Sequence, residues 1–280
     1  MRQQLAHLVI CCLLVGACRS GPPATTDRSA PTPLAIKAVA DPGGMPLLRW
    51  DFSSPRRLLY DFRLESLRCF DPRGREVAPP GDDRDISRPW PGGTHYVECD
   101  GSGDGRRVED YQGVIYYHQI PPNSRIPGDN LQTLPENLAL RCYFPLPPEP
   151  IQTAVSQRVS ERHCYRGAIL GADVFLNERF EVPGYYRVEG QLCARVEYES
   201  EVSLPRSGSQ PLEVLTATAY FDLAGRHFIA GQSRHVLRSH PSPEIAEIVV
   251  ERSYRLSGIE DGRGRRFTDL QTTAGEDEER

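Results

Sequence analysis

The amino-acid sequence predicts an all-β or mainly β protein: a curved antiparallel meander, an open half-barrel or a sandwich, with at most one or two short helices. Several segments alternate apolar and charged residues, a period of two that puts successive side chains on opposite faces of a strand. One apolar and one charged face per strand indicate an antiparallel sheet. Proline and glycine supply 25 and 24 of 280 residues, too few for a disordered chain.

The clearest alternation runs over residues 185–200. Residues of one parity are mostly apolar, including Val188, Ala194 and Val196, and residues of the other parity are mostly charged. As one strand rising by about 3.3 Å per residue, this segment would be roughly 50 Å long. Such a long strand with one charged face indicates a curved antiparallel sheet.

Further elements are predicted on both sides of this segment. The turn chemistry of 222–225 separates two strands of the meander, and Arg252 interrupts the apolar face of the last one. A short helix is predicted over 151–163, where apolar residues recur at every fourth position. The other predicted strands are 58–70, 114–120, 138–145, 215–221, 226–238 and 248–256.

The N-terminus has the pattern of an export signal. Arg2 precedes an unbroken apolar run over 8–15, and the small residues Gly16 and Ala17 stand before Cys18. A helix of about eight residues covers only about 12 Å, which is too short for a bilayer core of about 30 Å. The sequence therefore predicts a signal peptide over 1–17.

The segment Val15-Gly16-Ala17-Cys18 resembles the lipobox of bacterial lipoproteins. The resemblance implies cleavage before Cys18, fatty acylation of its thiol and amine with chains such as palmitate, and a location in the cell envelope facing the periplasm. Each buried CH₂ contributes about 0.8 kcal/mol, so two or more chains give stable membrane attachment. Under the family's sorting rule, Arg19 favours the outer membrane. The alternative is conventional secretion with a chance cysteine.

The mature chain is predicted to consist of a tether, one domain and a tail. Residues 18–33 comprise the lipidated cysteine and a tether with four prolines and no large apolar side chain, which is typical of disorder. Such a coil reaches roughly 20 Å. Residues 34–258 are predicted to form a single β-rich domain, and 259–280 a disordered acidic tail.

Cysteine provides one set of candidate site residues. Export places them where disulfides form, so at least one structural disulfide is predicted. Because five cysteines remain after Cys18, at least one must stay a free thiol or pair with another chain. The absence of a CxxC motif disfavours a redox or zinc-ribbon site. The five cysteines after the lipidated one are Cys69, Cys99, Cys142, Cys164 and Cys193.

Asp100, Ser102 and Asp104 are the best metal-ligand candidates. Oxygens at alternate positions followed by Gly105 imitate the start of a calcium loop. The twelfth position is Tyr111, where such a loop places a bidentate glutamate. The pattern therefore favours a glycine-rich turn between strands, without a metal or another cofactor.

Charge and motifs favour a binding protein over an enzyme. A formal charge of −5 without a basic stripe gives no reason to expect nucleic-acid binding. The chain has no GxSxG, HExxH, GxGxxG or Walker motif. We therefore predict a non-enzymatic binding or assembly lipoprotein whose partners are the membrane, through its lipid, and an envelope protein.

Two alternatives stay open. The strand pattern broadly resembles envelope lipoproteins that carry lipids or lipoproteins in a curved antiparallel half-barrel with helices in its mouth. This resemblance implies an apolar ligand in the concave face of the sheet. The other alternative is a periplasmic hydrolase whose Ser, His and carboxylate residues come together only in space.

Overall fold

The computed structural model describes residues 33–78, 94–101, 103, 105–111, 114–124, 132–133, 143–165, 172–205, 210–238 and 244–261. The signal peptide, Cys18 and most of the predicted tether and tail lie outside these ranges, so their predictions stay predictions. Within the ranges, no helix is long and apolar enough to cross a membrane.

One sheet contains the thirteen strands of the described part of the chain. The order across the sheet is β6-β5-β4-β2-β13-β12-β11-β10-β9-β8-β7, with β1 beside β9 and β3 beside β2. The strands are β1 (Ile36–Val39), β2 (Arg56–Phe70), β3 (Glu76–Val77), β4 (Thr94–Cys99), β5 (Gly105–Tyr111), β6 (Val114–Ile120), β7 (Gln132–Thr133), β8 (Gln157–Tyr165), β9 (Ala172–Val188), β10 (Gln191–Ser203), β11 (Glu213–Asp222), β12 (His227–Leu237) and β13 (Glu247–Asp261).

The predicted fold class is confirmed. The strands pair antiparallel except for β7 with β8, and the sheet is not closed, which is consistent with a curved meander or half-barrel. The strands predicted over 58–70, 114–120, 215–221, 226–238 and 248–256 are β2, β6, β11, β12 and β13. Most of the strand predicted over 138–145 lies outside the described residues. The last strand extends to Asp261, three residues beyond the predicted domain boundary.

The single strand predicted over 185–200 is wrong, because the chain turns back at Glu189 and Gly190. These residues have φ values of 50° and 85°, as required at the two central positions of a type I′ hairpin turn. Val188 therefore lies directly opposite Gln191, and β9 and β10 form a hairpin. The face to which even-numbered residues point therefore changes at this turn, so that Tyr185 of β9, rather than Tyr186, shares a face with Ala194 of β10.

The change of parity decides which tyrosine of the Tyr185-Tyr186 pair lies in the core. Tyr185 is opposite Ala194 and is buried. Tyr186 faces the other side of the sheet, where its ring meets that of Tyr220 with 5.8 Å between centroids. Adjacent tyrosines thus lie on opposite faces, as the pleat of a strand requires.

The helix predicted over 151–163 is also wrong. The structure has a turn at Thr153 and Ala154 and then the strand β8. Ala154 has a φ of 61°, which an α-helix excludes. Ile151 is buried whereas Val155 is exposed, so these apolar residues do not share the face that a helix would give them.

Two coil segments, 46–55 and 143–151, fill the apolar face of the sheet. The Trp50 ring meets the Phe144 ring with 5.1 Å between centroids, and its Nε1 donates a hydrogen bond to Ser124 Oγ at 2.8 Å. Burial of each large apolar side chain contributes about 1.5–3 kcal/mol. The other buried members of these segments include Leu48, Phe52, Leu146 and Ile151.

Two arginines are part of this aromatic core. The Arg107 guanidinium lies 4.8 Å from the Phe62 ring centroid and 4.5 Å from that of Tyr143, as in cation–π contacts. Arg252, which interrupts the apolar face of β13, lies 6.0 Å from the same Tyr143 ring. Arg252 therefore interrupts the apolar face of β13 as predicted, and its guanidinium lies over the Tyr143 ring.

Candidate binding groove

The polar face of the sheet carries a groove that crosses β2, β13, β12, β11, β10 and β9. It arises from strand alternation: in β10, Val196 and Tyr198 are buried, whereas Glu197 and Glu199 are half-buried on the opposite face. The cavity measures about 640 Å³, within the usual range of ligand pockets of about 300–1,000 Å³. Five glutamates and three arginines are among its lining residues.

The antiparallel register arranges the lining side chains in rows across the strands. One row runs from Arg179 through Glu199, Thr216 and Arg234 to Glu251, each residue directly opposite the next. Neighbouring strands are about 4.8 Å apart, so this row spans roughly 19 Å. The adjacent row consists of Glu181, Glu197, Thr218, Gln232 and Ser253.

Charged side chains at both ends of the groove pair with one another. Arg179 contacts Glu199 at 3.0 Å and Glu181 at 3.8 Å, and Arg234 contacts Glu251 at 3.7 Å. These five side chains are 26–48% exposed to solvent, and ion pairs with this much solvent access contribute only about 0–1 kcal/mol. A charged group of a ligand can therefore replace an internal partner at little cost.

Neutral hydrogen-bonding groups occupy the middle of the groove. Thr216 and Thr218 of β11 lie next to Gln232 of β12, and both Thr216 and Gln232 are exposed. Hydroxyl and amide groups donate and accept hydrogen bonds. The groove thus combines charged ends with a neutral polar centre, which suits an extended polar ligand lying across the strands.

The opposite, apolar face contains a buried polar layer that sequence analysis missed. His235 Nε2 lies 2.9 Å from Glu213 Oε2, and Tyr198 donates a hydrogen bond to Glu178 at 2.9 Å. Ser200 is also buried, and its Oγ has no hydrogen-bond partner among the described residues. The sequence did contain a signal for this layer. Glu178 and Glu213 occupy alternate positions with buried apolar residues of their own strands, which places them on the apolar face. Their enclosure places these groups in the core, away from the groove.

A second buried network surrounds the turn between β11 and β12. Asp222 accepts the backbone N–H of Gly225 at 3.0 Å, and Arg56 donates to the Gly225 carbonyl at 3.1 Å and to that of Asp51 at 2.9 Å. His227 Nδ1 lies 2.8 Å from the same Gly225 carbonyl, so Nδ1 carries the proton. Burial lowers the pKa of His227, which keeps the ring neutral. The network connects the 46–55 coil to the sheet.

Three of the five candidate disulfide cysteines are thiols. Cys69, Cys99 and Cys193 are buried and form no disulfide, so the predicted disulfide does not involve these three. Cys99 lies beside one end of β2 and Cys69 near the other end, roughly 40 Å away, whereas a disulfide needs Cα atoms within about 7 Å. Cys142 and the side chain of Cys164 lie outside the described residues, so a bond between them stays a prediction.

The calcium-loop candidates lie at the turn between β4 and β5. These strands form a hairpin closed by Cys99 and Gly105, in agreement with the glycine-rich turn that the sequence favours. Asp100 is exposed, and Ser102 and Asp104 lie outside the described residues. In the part of the chain that is described, no three His, Cys, Asp or Glu side chains are grouped to hold a metal ion.

Comparisons with known proteins identify no relative of this chain. No protein-family model matches it, and no curated protein and no solved structure matches it either. The functional proposal therefore rests on the chain's own residues and their geometry.

Proposed function

We propose that the protein is a membrane-anchored envelope lipoprotein that has a binding role rather than an enzymatic one, with the polar groove as its binding site. The supporting observation is the cavity of about 640 Å³ on a hydrogen-bonded sheet, lined by weakly paired charges that a ligand can recruit. The lipobox supports an anchor at Cys18, in the outer membrane. The tether then lets the groove meet partners in the envelope.

The chemistry of the groove favours an extended, basic segment of an envelope protein. Its five glutamates outnumber its three arginines, and one of these, Arg252, has its guanidinium over the Tyr143 ring of the apolar face, so the site attracts positive charge. Several of these carboxylates have neutral or exposed partners: Ser253 donates to Glu65, Ser66 to Glu251 and Ser156 to Glu181. Basic side chains in an extended chain, spaced along a row of roughly 19 Å, would pair with them.

The two alternative functions receive less support. The apolar face, where a carrier would hold its ligand, is packed with the chain's own rings, including Trp50, Phe52 and Phe144. For a hydrolase, His235 and Glu213 are paired but nearly inaccessible to solvent. Among the described residues, no serine hydroxyl hydrogen-bonds to His235. We therefore retain the polar groove as the proposed site.

A photo-crosslinker introduced at Thr216 tests the groove directly. Thr216 is exposed in the centre of one row, and Ser257, exposed on β13 away from the groove, is the matched control. In envelope preparations, we expect a discrete adduct with an envelope protein from position 216 and none from position 257. High salt should weaken the adduct, because screening acts on exposed charges. Equal labelling from both positions would contradict the proposal.

The lipid anchor is tested separately by mass spectrometry of the mature N-terminus. The wild-type chain should begin at residue 18 and carry the added mass of fatty acyl chains. Cys18→Ser should abolish both the cleavage and the added mass. A wild-type mature chain without acyl mass would contradict the proposed anchoring and favour conventional secretion.

A further inference from the structure

Three exposed apolar side chains lie on two neighbouring coil segments and form what we call the apolar tip. Met45 and Leu47 are 58% and 51% exposed, and Val155 is 47% exposed. Pro46, between the first two, accepts a backbone hydrogen bond from Ile151 at 3.5 Å, which holds the two segments side by side. Met45 and Leu47 thus display apolar groups to solvent from a segment held beside the one that carries Val155.

Local hydrogen bonds hold the apolar tip in this position. The Thr153 hydroxyl donates to the Asp41 carboxylate at 2.6 Å, and the same carboxylate accepts the N–H of Gly43 at 2.7 Å. The N–H of Ala154 donates to the carbonyl of Val182 in β9 at 2.8 Å. Both segments are thus tied down, and a fixed apolar surface in water is stabilised by any partner that covers it.

The position of the tip in the chain favours the membrane as that partner. Met45 follows the tether 18–33 closely, so a lipid on Cys18 keeps the tip within roughly 20–50 Å of the bilayer at a high effective concentration. The intervening strand β1 places Lys37 directly opposite Arg187, and both are exposed. Like charges facing each other repel, and anionic headgroups relieve that repulsion.

We propose that the apolar tip docks on the lipid surface to which the chain is anchored, with Met45 and Leu47 entering the boundary between headgroups and acyl chains. Lys37 of β1 and Arg187 of β9 contact anionic headgroups of the same surface. This inference rests on the lipid anchor of the proposed function. Docking gives the sheet a defined orientation on its membrane.

Hydrogen–deuterium exchange on vesicle-tethered protein tests this docking. The mature chain from residue 19, with an N-terminal histidine tag, is attached to phosphatidylcholine–phosphatidylglycerol vesicles that contain a nickel-chelating lipid. The tag replaces the acyl anchor, so the result does not depend on lipidation of Cys18. We expect amides of 41–47 to exchange at least about fivefold more slowly than in the free chain.

The double variant Met45→Asp, Leu47→Asp should lose this protection while it stays tethered. Leu64→Asp is the matched control, because Leu64 is 44% exposed on β2 outside the tip, and it should keep the protection. Unchanged thermal unfolding of both variants would show that they are folded. Absence of protection in the wild-type chain, or equal loss in the control, would overturn the inference.

Light scattering of the free chain measures its oligomeric state and so tests whether a second copy of the chain, rather than a membrane, covers the tip. We expect a monomer. A dimer that dissociates in the Met45→Asp, Leu47→Asp variant would overturn membrane docking in favour of self-association. The two proposals fail independently, since the absence of acyl mass in wild type refutes anchoring, whereas the exchange experiment reports on the tip alone.

Discussion

Replacement of Gly231 by alanine would place a methyl group against the ring of Tyr254. The two residues lie directly opposite each other on β12 and β13. A Cβ atom at Gly231 would lie 2.6 Å from ring carbons and from the hydroxyl oxygen of Tyr254. Carbon atoms pack at about 3.5–4.0 Å, so the ring would have to move by roughly 1 Å.

The surroundings of this ring set the magnitude of the effect. The centroid of Tyr254 lies 5.7 Å from that of Tyr60 and 5.5 Å from those of Phe62 and Phe144. Overpacking in such a core costs about 1–3 kcal/mol. Alanine recovers about 0.5–1 kcal/mol relative to glycine in a strand. We therefore expect Gly231→Ala to lower the free energy of unfolding by about 1–2 kcal/mol.

Urea unfolding followed by tryptophan fluorescence measures this change. Gly258→Ala is the matched control: it is also a buried glycine of the sheet, but its added Cβ would lie at ordinary contact distance, 3.6 Å from Leu59 Cδ1. In a Tyr254→Ala background, Gly231→Ala should cost nothing or stabilise the protein, because the clash is absent. A penalty that persists in that background, or an equal penalty for Gly258→Ala, would refute the reasoning.

Two further outcomes concern buried titratable groups. Burial lowers the pKa of His227, so below about pH 6.5 the unfolded chain takes up a proton that the folded chain excludes. The free energy of unfolding should fall there by up to about 1.4 kcal/mol per pH unit, until the pKa of His227 in the folded chain is reached. His227→Gln should flatten the pH profile of the urea midpoint. An unchanged profile would contradict the role of His227. Burial raises the pKa of the Cys99 thiol to about 11 and that of Cys193 to about 12. Both should resist iodoacetamide near neutral pH in the native chain and react after unfolding, as peptide mass spectrometry would show; rapid native labelling would be inconsistent with the structure.

The strand alternation was sufficient to predict most central strands, because the face to which a side chain points is a local property of the backbone. The same rule failed at Glu189 and Gly190. Nothing in the alternation distinguishes a continuous strand from two strands joined by a two-residue turn, and Glu-Gly is not among the strongest hairpin signals. Pairing between β9 and β10, rather than local preference, decides that the chain turns there.

The groove could be predicted only as separate charged residues. Glu197 and Glu199 belong to a visibly charged face, but their neighbours Arg179, Thr216 and Thr218 come from other strands. Sequence patterns contain no register, and a shift by one residue would exchange the two faces of a strand. The cysteines illustrate the same point. The cellular compartment predicts whether a disulfide can form, but only the distance between two cysteines in the fold decides whether one does form.

The sequence by itself determined the fold class, several strands and the pattern that predicts an export signal and a lipid anchor, because each is set by residues close together in the chain. The tertiary structure decided which rings fill the apolar face, which charges meet in the groove and that Met45, Leu47 and Val155 are exposed. These features depend on contacts between distant segments, whose register and closure no local pattern specifies.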